Sequence, residues 1–230
     1  MNRKNLIALL VVVSLVFSLF FAFNPLTRKT NAPVPVLKKI VLDAGHGGKD
    51  RGASVGNAFE SAITLNITLR LAELLRAFGF EVYLTRETDD STDDVEGFHK
   101  ALDIKNRVKL ANKHSDALFL SIHINTFPQE SVCGIQLFHG KKERDKHFAQ
   151  TLRQTVIDFL QKDNDRPLTK VPSGVYIFKK INNVCALAEC GFLTNNKERA
   201  LLVTDEYCEQ IALTLFAGIM RFYEENNAVV

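Results

Sequence analysis

The sequence has few of the residues that mark several protein classes. Its 230 residues include no tryptophan, only 4 cysteines, 12 glycines and 6 prolines. So few cysteines exclude a small disulfide-stabilised scaffold, and so little glycine and proline excludes collagen-like and low-complexity proteins. With 46% hydrophobic residues and nearly balanced charge, the chain is not intrinsically disordered. Its length suits one folded domain of roughly 200 residues.

An excess of basic charge is absent from most of the chain. The formal net charge is +3, but residues 1–30 hold four basic residues and no acid. Taking those four from the 29 Lys and Arg leaves 25 basic residues against 26 acidic ones in residues 31–230. This near-neutral balance predicts no binding to nucleic acid.

The N-terminus carries a long hydrophobic run. Leu6 to Phe23 spans 18 residues, of which only Ser14 and Ser18 are polar. At about 1.5 Å per residue this run can just cross a hydrocarbon core of roughly 30 Å. A secretory signal peptide would have a shorter apolar core and a small-residue cleavage site. We therefore predict an uncleaved membrane anchor over residues 1–23, with a cleaved signal peptide as the alternative.

After this run, three prolines in residues 24–38 predict an extended linker. Residues 39–225 then alternate short apolar runs with helical patterns, which predicts one α/β domain. It would have about six strands in a mostly parallel sheet, with helices on both faces. The predicted strands are Lys39–Asp43, Glu81–Thr85, Ala117–Ile122, Gly134–Phe138, Val175–Phe178 and Val184–Ala188. The first predicted helix begins at Glu60 and has its apolar face over Ile63–Phe78; the others are Leu102–His114, Arg144–Gln161 and Glu206–Glu224.

Four ionisable residues are predicted to meet at one edge of this sheet. His46 follows the first strand, His123 ends the third, Glu189 ends the last, and Glu60 begins the first helix. Sites in such sheets lie beyond the carboxyl ends of the strands.

Two neutral imidazoles and one carboxylate suit zinc and leave a fourth position for water. The remaining carboxylate could then act as acid or base. However, the sequence has no HExxH motif. Ordinary hydrogen-bonded histidines therefore stay open as an alternative on residue types alone.

The segments around these residues form a recognisable set. It comprises Ile40–Ala53, Glu60 at the start of the first helix, Thr85–Arg86, Phe119–Asn125 and Leu187–Asn195. Together they resemble the motifs of the zinc-dependent N-acetylmuramoyl-L-alanine amidases of bacterial cell walls. Ala44 and Ser61 stand where that family usually has proline and lysine. The resemblance implies that His46, Glu60 and His123 hold Zn²⁺ and that Glu189 is the catalytic base.

The resemblance also implies a substrate, peptidoglycan, cut at the amide between N-acetylmuramic acid and L-alanine. The single-domain layout with an apolar N-terminus is similar to the germination-specific members, which implies a role in spore cortex maturation or germination. The protein is then expected outside the cytoplasm, anchored by its N-terminal helix or secreted after cleavage. Two alternatives remain open: a zinc peptidase acting on the stem peptides, and a non-catalytic peptidoglycan-binding module.

Overall fold

The structure, a computed structural model, describes residues 38–93 and 99–227. The predicted anchor, residues 1–23, lies outside the described residues, as does the predicted linker 24–38 except for Lys38. Among the described residues, no helix combines the length and apolarity needed to cross a membrane.

Six strands form one sheet in the order β4-β1-β5-β8-β6-β7. Strands β4, β1, β5 and β8 run parallel, β6 is antiparallel to β8, and β7 is parallel to β6. A two-residue pair, β2 and β3, forms a separate antiparallel ladder. The strands are β1 (Lys39–Ala44), β2 (Ser54–Val55), β3 (Ala58–Phe59), β4 (Glu81–Leu84), β5 (Leu118–Asn125), β6 (Gln136–His139), β7 (Thr169–Lys170) and β8 (Val184–Phe192). The predicted α/β class with a mostly parallel, six-stranded sheet is confirmed.

Helices cover both faces of this sheet. The described helices are α1 (Glu60–Ala77), α2 (Lys100–Lys113), α3 (Glu143–Phe159), α4 (Ile177–Lys180), α5 (Asn196–Leu202) and α6 (Asp205–Asn227). Alternate side chains of a strand point to opposite faces. Accordingly Ile40 and Leu42 pack with α1, α3 and α6, while Val41 packs with α2 and α4.

The strand predicted at Val175–Phe178 is wrong. Tyr176 has helical dihedral angles, and Ile177–Lys180 forms the one-turn helix α4. Its apolar side chains are still buried, because Phe178 packs against Phe119 of the sheet with ring centroids 5.8 Å apart. The sixth strand is instead β7, whose two residues are too few to produce a periodic pattern.

The parallel strands bring the predicted site residues to one edge. Ala44 at the end of β1 is in register with Ile122 of β5, and His123 is in register with Glu189 of β8. Strand β8 continues to Phe192, past the end predicted for it. Strands β1, β5 and β8 run in the same direction. The chain that leaves β1 toward His46 therefore lies beside His123 of β5, and His123 lies beside Glu189 of β8.

Candidate active site

His46 lies in a loop with an unusual backbone conformation. Its φ of 61° makes it the only non-glycine residue with positive φ among the described residues. Most side chains disfavour this left-handed region, at a cost of about 1–3 kcal/mol, so the surrounding structure must hold it. The loop is closed by two hydrogen bonds, from Gly47 N to Asp50 O at 2.8 Å and from Gly48 N to Asp89 O at 2.9 Å.

Two buried arginines hold the chain that leads to His46. Arg107 donates from Nη2 to the His46 carbonyl at 2.6 Å and from Nη1 to the Ala44 carbonyl at 2.7 Å. Arg86 donates to the carbonyls of Ala44 at 3.0 Å and Gly45 at 2.9 Å. Three consecutive carbonyls therefore accept hydrogen bonds from charged donors, which fixes the loop more firmly than neutral donors would.

The charge of Arg107 is balanced by two buried carboxylates. Its Nη1 lies 2.8 Å from Asp43 Oδ1, and its Nε lies 2.9 Å from Asp103 Oδ2. Asp43 also accepts a hydrogen bond from Ser121 Oγ at 2.6 Å. Burial raises the pKa of Asp43, but Arg107 and Ser121 outweigh it and hold that pKa below its usual value. Burial lowers the pKa of Arg107, but the two carboxylates outweigh burial and hold that pKa above its usual value.

Three of the four predicted site residues converge on one point. His46 Nε2 lies 3.2 Å from Glu60 Oε2, and His123 Nδ1 lies 2.9 Å from Glu60 Oε1. One nitrogen of each ring and one carboxylate oxygen all lie within 4.8 Å of one another. The two rings meet edge to face, with centroids 5.1 Å apart.

Glu60 is fixed by backbone groups as well as by the histidines. It is only 4% exposed, and its oxygens accept hydrogen bonds from Ala53 N at 2.8 Å and Ile124 N at 3.0 Å. Burial alone would raise the pKa of Glu60, but its hydrogen bonds with His123 and His46 outweigh burial and hold that pKa far below its usual value. Glu60 is therefore an ionised carboxylate at neutral pH.

Asp50 orients the imidazole of His46. Its Oδ2 lies 3.0 Å from His46 Nδ1, on the far side of the ring from Glu60, and 3.3 Å from Lys100 Nζ. When Nδ1–H donates to this carboxylate and Nε2 carries no proton, Nε2 can offer its lone pair to a metal ion in place of its contact with Glu60, as in many metal centres.

Two glycines allow the close approach of these side chains. A Cβ atom at Gly45 would lie 2.4 Å from His123 Cε1. One at Gly52 would lie 2.5 Å from Glu60 Oε2 and 2.6 Å from His46 Cδ2. Any larger residue at either position would displace a member of the cluster.

Glu189 stands beside the cluster with an oxygen that has no partner. It lies on β8 in register with His123, and its Oε2 is buried without a hydrogen bond. Burial raises the pKa of Glu189 to about 7, although His123 and His46 lower it and Glu60 adds to the rise. A carboxylate tuned to this range can both accept and release a proton near neutral pH.

These residues fit a divalent metal ion. Two ring nitrogens and a carboxylate oxygen form the mixed N/N/O set that zinc accepts in catalytic sites. Their atoms converge from β5, α1 and the loop after β1, and Asp50 supplies the outer carboxylate typical of such centres. The unpaired oxygen of Glu189 provides the adjacent acceptor that a bound water would need.

A cavity of about 210 Å³ opens beside the two histidines. Its walls include His46, His123, Ile104, Val175 and Tyr176. A larger cavity of about 910 Å³, lined by residues from 130–134, from 160–165 and from α5, includes none of the four predicted site residues. The smaller cavity is therefore the space in which a substrate could meet the cluster.

Sequence reasoning missed the residues that hold the cluster in place. Asp50 follows His46 by four residues inside the quoted motif, but nothing in the sequence showed that its carboxylate binds the ring. Asp103 and Arg107 are spaced i and i+4 on α2, a pattern usually found on exposed helix faces. His99, His114, His139 and His147 are not part of the cluster, which among the described residues contains only His46, Glu60 and His123.

Comparison with known proteins identifies the family. The family described as N-acetylmuramoyl-L-alanine amidase matches residues 40–221. The chain therefore belongs to the N-acetylmuramoyl-L-alanine amidases, which cleave the bond between N-acetylmuramic acid and L-alanine in peptidoglycan. The fold, the convergence of two histidines and a glutamate, and the family agree with one another.

Several individual amidases are similar to this chain in sequence or in structure. The chain is 32% identical over 222 residues to the germination-specific N-acetylmuramoyl-L-alanine amidase of Bacillus subtilis, covering 94% of this chain and 92% of that protein. Among solved structures, the CwlD amidase of Clostridioides difficile, in complex with the GerS lipoprotein, is 35% identical with a TM-score of 0.75. That match covers 81% of this chain and 98% of CwlD. The amidase AmiC2 of Nostoc punctiforme is 28% identical with a TM-score of 0.69, covering 81% and 97% of the two chains.

Proposed function

We propose that this chain is a zinc-dependent N-acetylmuramoyl-L-alanine amidase that acts on peptidoglycan in spore cortex maturation or germination. The observation that carries the proposal is the convergence of His46, Glu60 and His123 beside the unpaired Oε2 atom of Glu189. The spore role is supported by the likeness to the germination-specific amidase of Bacillus subtilis. Residues 39–225 form the catalytic domain, and residues 1–23 anchor it at the outer side of the membrane.

In this proposal His46, Glu60 and His123 hold the ion. A zinc ion bound there would supply a Lewis acid that polarises the scissile carbonyl and lowers the pKa of water. The carboxylate of Glu189 accepts a proton from the attacking water and then donates it to the departing alanine nitrogen. A cation held by these residues would lower the pKa of Glu189 from about 7 and so favour the ionised form that accepts the proton.

The substrate assignment can be tested on purified insoluble peptidoglycan. The full-length chain, supplied with zinc in mild detergent, is expected to expose new N-terminal alanine, which amine labelling and hydrolysis identify. Chelation should stop the reaction, and added zinc should restore it, because the ligands are expected to lose and regain the ion.

Two other outcomes would replace the proposal. A new N-terminus other than alanine would make the protein a zinc peptidase of the stem peptides. Binding to the wall with no new amine, at full zinc loading, would make it a peptidoglycan-binding module. A spore role would be contradicted if a strain lacking the gene formed spores with normal cortex composition and germination.

A further inference from the structure

An arginine, Arg51, lies next to the candidate metal ligands. Arg51 stands between Asp50, which binds His46, and Gly52, whose backbone packs against His46 and Glu60. The Arg51 side chain is exposed. None of the ion pairs found in residues 38–93 and 99–227 includes it, although its neighbour Asp50 is paired with both His46 and Lys100.

The guanidinium group of Arg51 is held by an aromatic ring. Its Cζ lies 4.5 Å from the centroid of the Phe59 ring. Phe59 directly precedes Glu60, and the Arg51 carbonyl accepts a hydrogen bond from Ser61 N at 3.1 Å. The side chain and the backbone carbonyl of Arg51 therefore both contact the start of α1, the helix that supplies Glu60.

This contact leaves the donors of Arg51 available to a ligand. An aromatic face attracts the positive charge but is a poor hydrogen-bond acceptor, so the N–H groups remain free to donate. The planar fork of a guanidinium matches the two oxygens of a carboxylate, and a fixed fork loses little entropy when it binds. An anionic group of the substrate, a carboxylate, therefore fits the position.

We propose that Arg51 binds the free α-carboxylate of the second residue of the stem peptide and so selects acidic stems over amidated ones. The proposal rests on the amidase function proposed above. The second stem residue is a glutamate joined through its side-chain carboxyl group, which leaves its α-carboxylate free. That carboxylate lies about 6 Å from the scissile nitrogen, and the Cα atom of Arg51 lies about 3.8 Å from that of Gly52, whose backbone lies against Glu60 and His46. The carboxylate is therefore within reach when the scissile amide lies at the cluster.

The test compares two substrates that differ in this one group. Short soluble glycan strands would carry stem peptides with either glutamate or its α-amide, isoglutamine, at the second position. The full-length chain loaded with zinc is expected to cleave the acidic strand at least about 10-fold more efficiently, since charge-assisted hydrogen bonds have about that effect. Arg51→Met should remove this preference by raising KM for the acidic strand about 10-fold or more, with the amidated strand changed less than about 2-fold.

Two further variants test whether the preference depends on the charge and position of Arg51 and not on a general effect of substitution on folding. Arg76→Met makes the same change at an exposed arginine in the last turn of α1, about 24 Å along the helix from Glu60, and should leave the preference intact. Phe59→Leu keeps an apolar side chain but removes the ring, and should weaken the preference partially. Equal loss on both strands in Arg51→Met, or no preference in the wild-type chain, would overturn the proposal.

A binding measurement keeps the two proposals distinguishable. In a Glu189→Gln background, the affinity of the chain for each strand can be measured without turnover. A preference for the acidic strand that disappears with Arg51→Met would support the carboxylate site even if the wild-type chain cleaved neither strand. Cleavage of neither strand would then count against the amidase function alone, and equal affinities would overturn the role of Arg51.

Discussion

Replacing Glu189 by Gln is expected to lower kcat by about 10²–10⁴-fold while the chain keeps its zinc. General acid–base catalysis by one side chain contributes about this much, and Gln has the shape of Glu but cannot take up a proton. The zinc should remain because Glu189 is not one of the three converging residues. Steady-state hydrolysis of peptidoglycan and zinc content per chain, measured on the same preparation, check both parts.

The same substitution should not destabilise the fold, which separates a chemical role from a structural one. The pKa of Glu189 in the folded chain is about 7, above its ordinary value of 4.5, so the folded chain binds this proton more tightly than the unfolded one. Stability is therefore lost as pH rises from about 4.5 through 7.

Without metal, Glu189→Gln should raise the free energy of unfolding at pH 8 by on the order of 1–3 kcal/mol and change it far less at pH 5. Urea unfolding in chelator at the two pH values measures the difference. Equal destabilisation at both would mean that Glu189 is a packing residue, and full activity of the variant would remove it from the mechanism.

Replacing Arg107 by Met is expected to lower the free energy of unfolding by about 3–5 kcal/mol. The substitution leaves the carboxylates of Asp43 and Asp103 buried without their cation and removes the donor to the His46 carbonyl. The expected loss is large because an unpaired buried charge cannot be solvated.

An exposed lysine on the same helix provides the matched control for Arg107. Lys109→Met makes a similar change on the exposed face of α2 and should alter the unfolding free energy by no more than about 0.5 kcal/mol. Thermal or urea unfolding followed by circular dichroism compares the two variants. A loss below about 1 kcal/mol for Arg107→Met would mean that the arginine does not stabilise the His46 loop as the hydrogen bonds suggest.

The sheet could be predicted from the sequence where burial leaves a pattern. Strands β1, β5 and β8 lie in the middle of the sheet, where both of their faces are buried. Each therefore appears in the sequence as a nearly continuous run of apolar residues. The segment Val175–Phe178 is equally apolar but buries its side chains from a one-turn helix laid over the sheet. Local pattern cannot distinguish these two ways of covering an apolar surface.

The candidate site also has residues that could be predicted from the sequence and residues that could not. Three of its side chains sit at strand or helix ends that the sequence marks clearly, so their convergence follows from the parallel topology. The groups that fix them do not, because Arg86 and Arg107 come from other elements and act on backbone carbonyls. Such contacts depend on tertiary structure and leave no spacing that a sequence pattern could reveal.

The most direct test measures both the zinc content and the amidase activity of a variant that lacks one proposed zinc ligand. His123→Ala in the full-length chain is compared with His147→Ala, which changes an exposed histidine that pairs with Glu225 of α6 and is not part of the cluster. The account predicts one zinc ion per chain and full amidase activity in the wild type and in His147→Ala. In a folded His123→Ala it predicts little zinc and little activity. Undiminished zinc in His123→Ala, or amidase activity that persists without zinc, would contradict it.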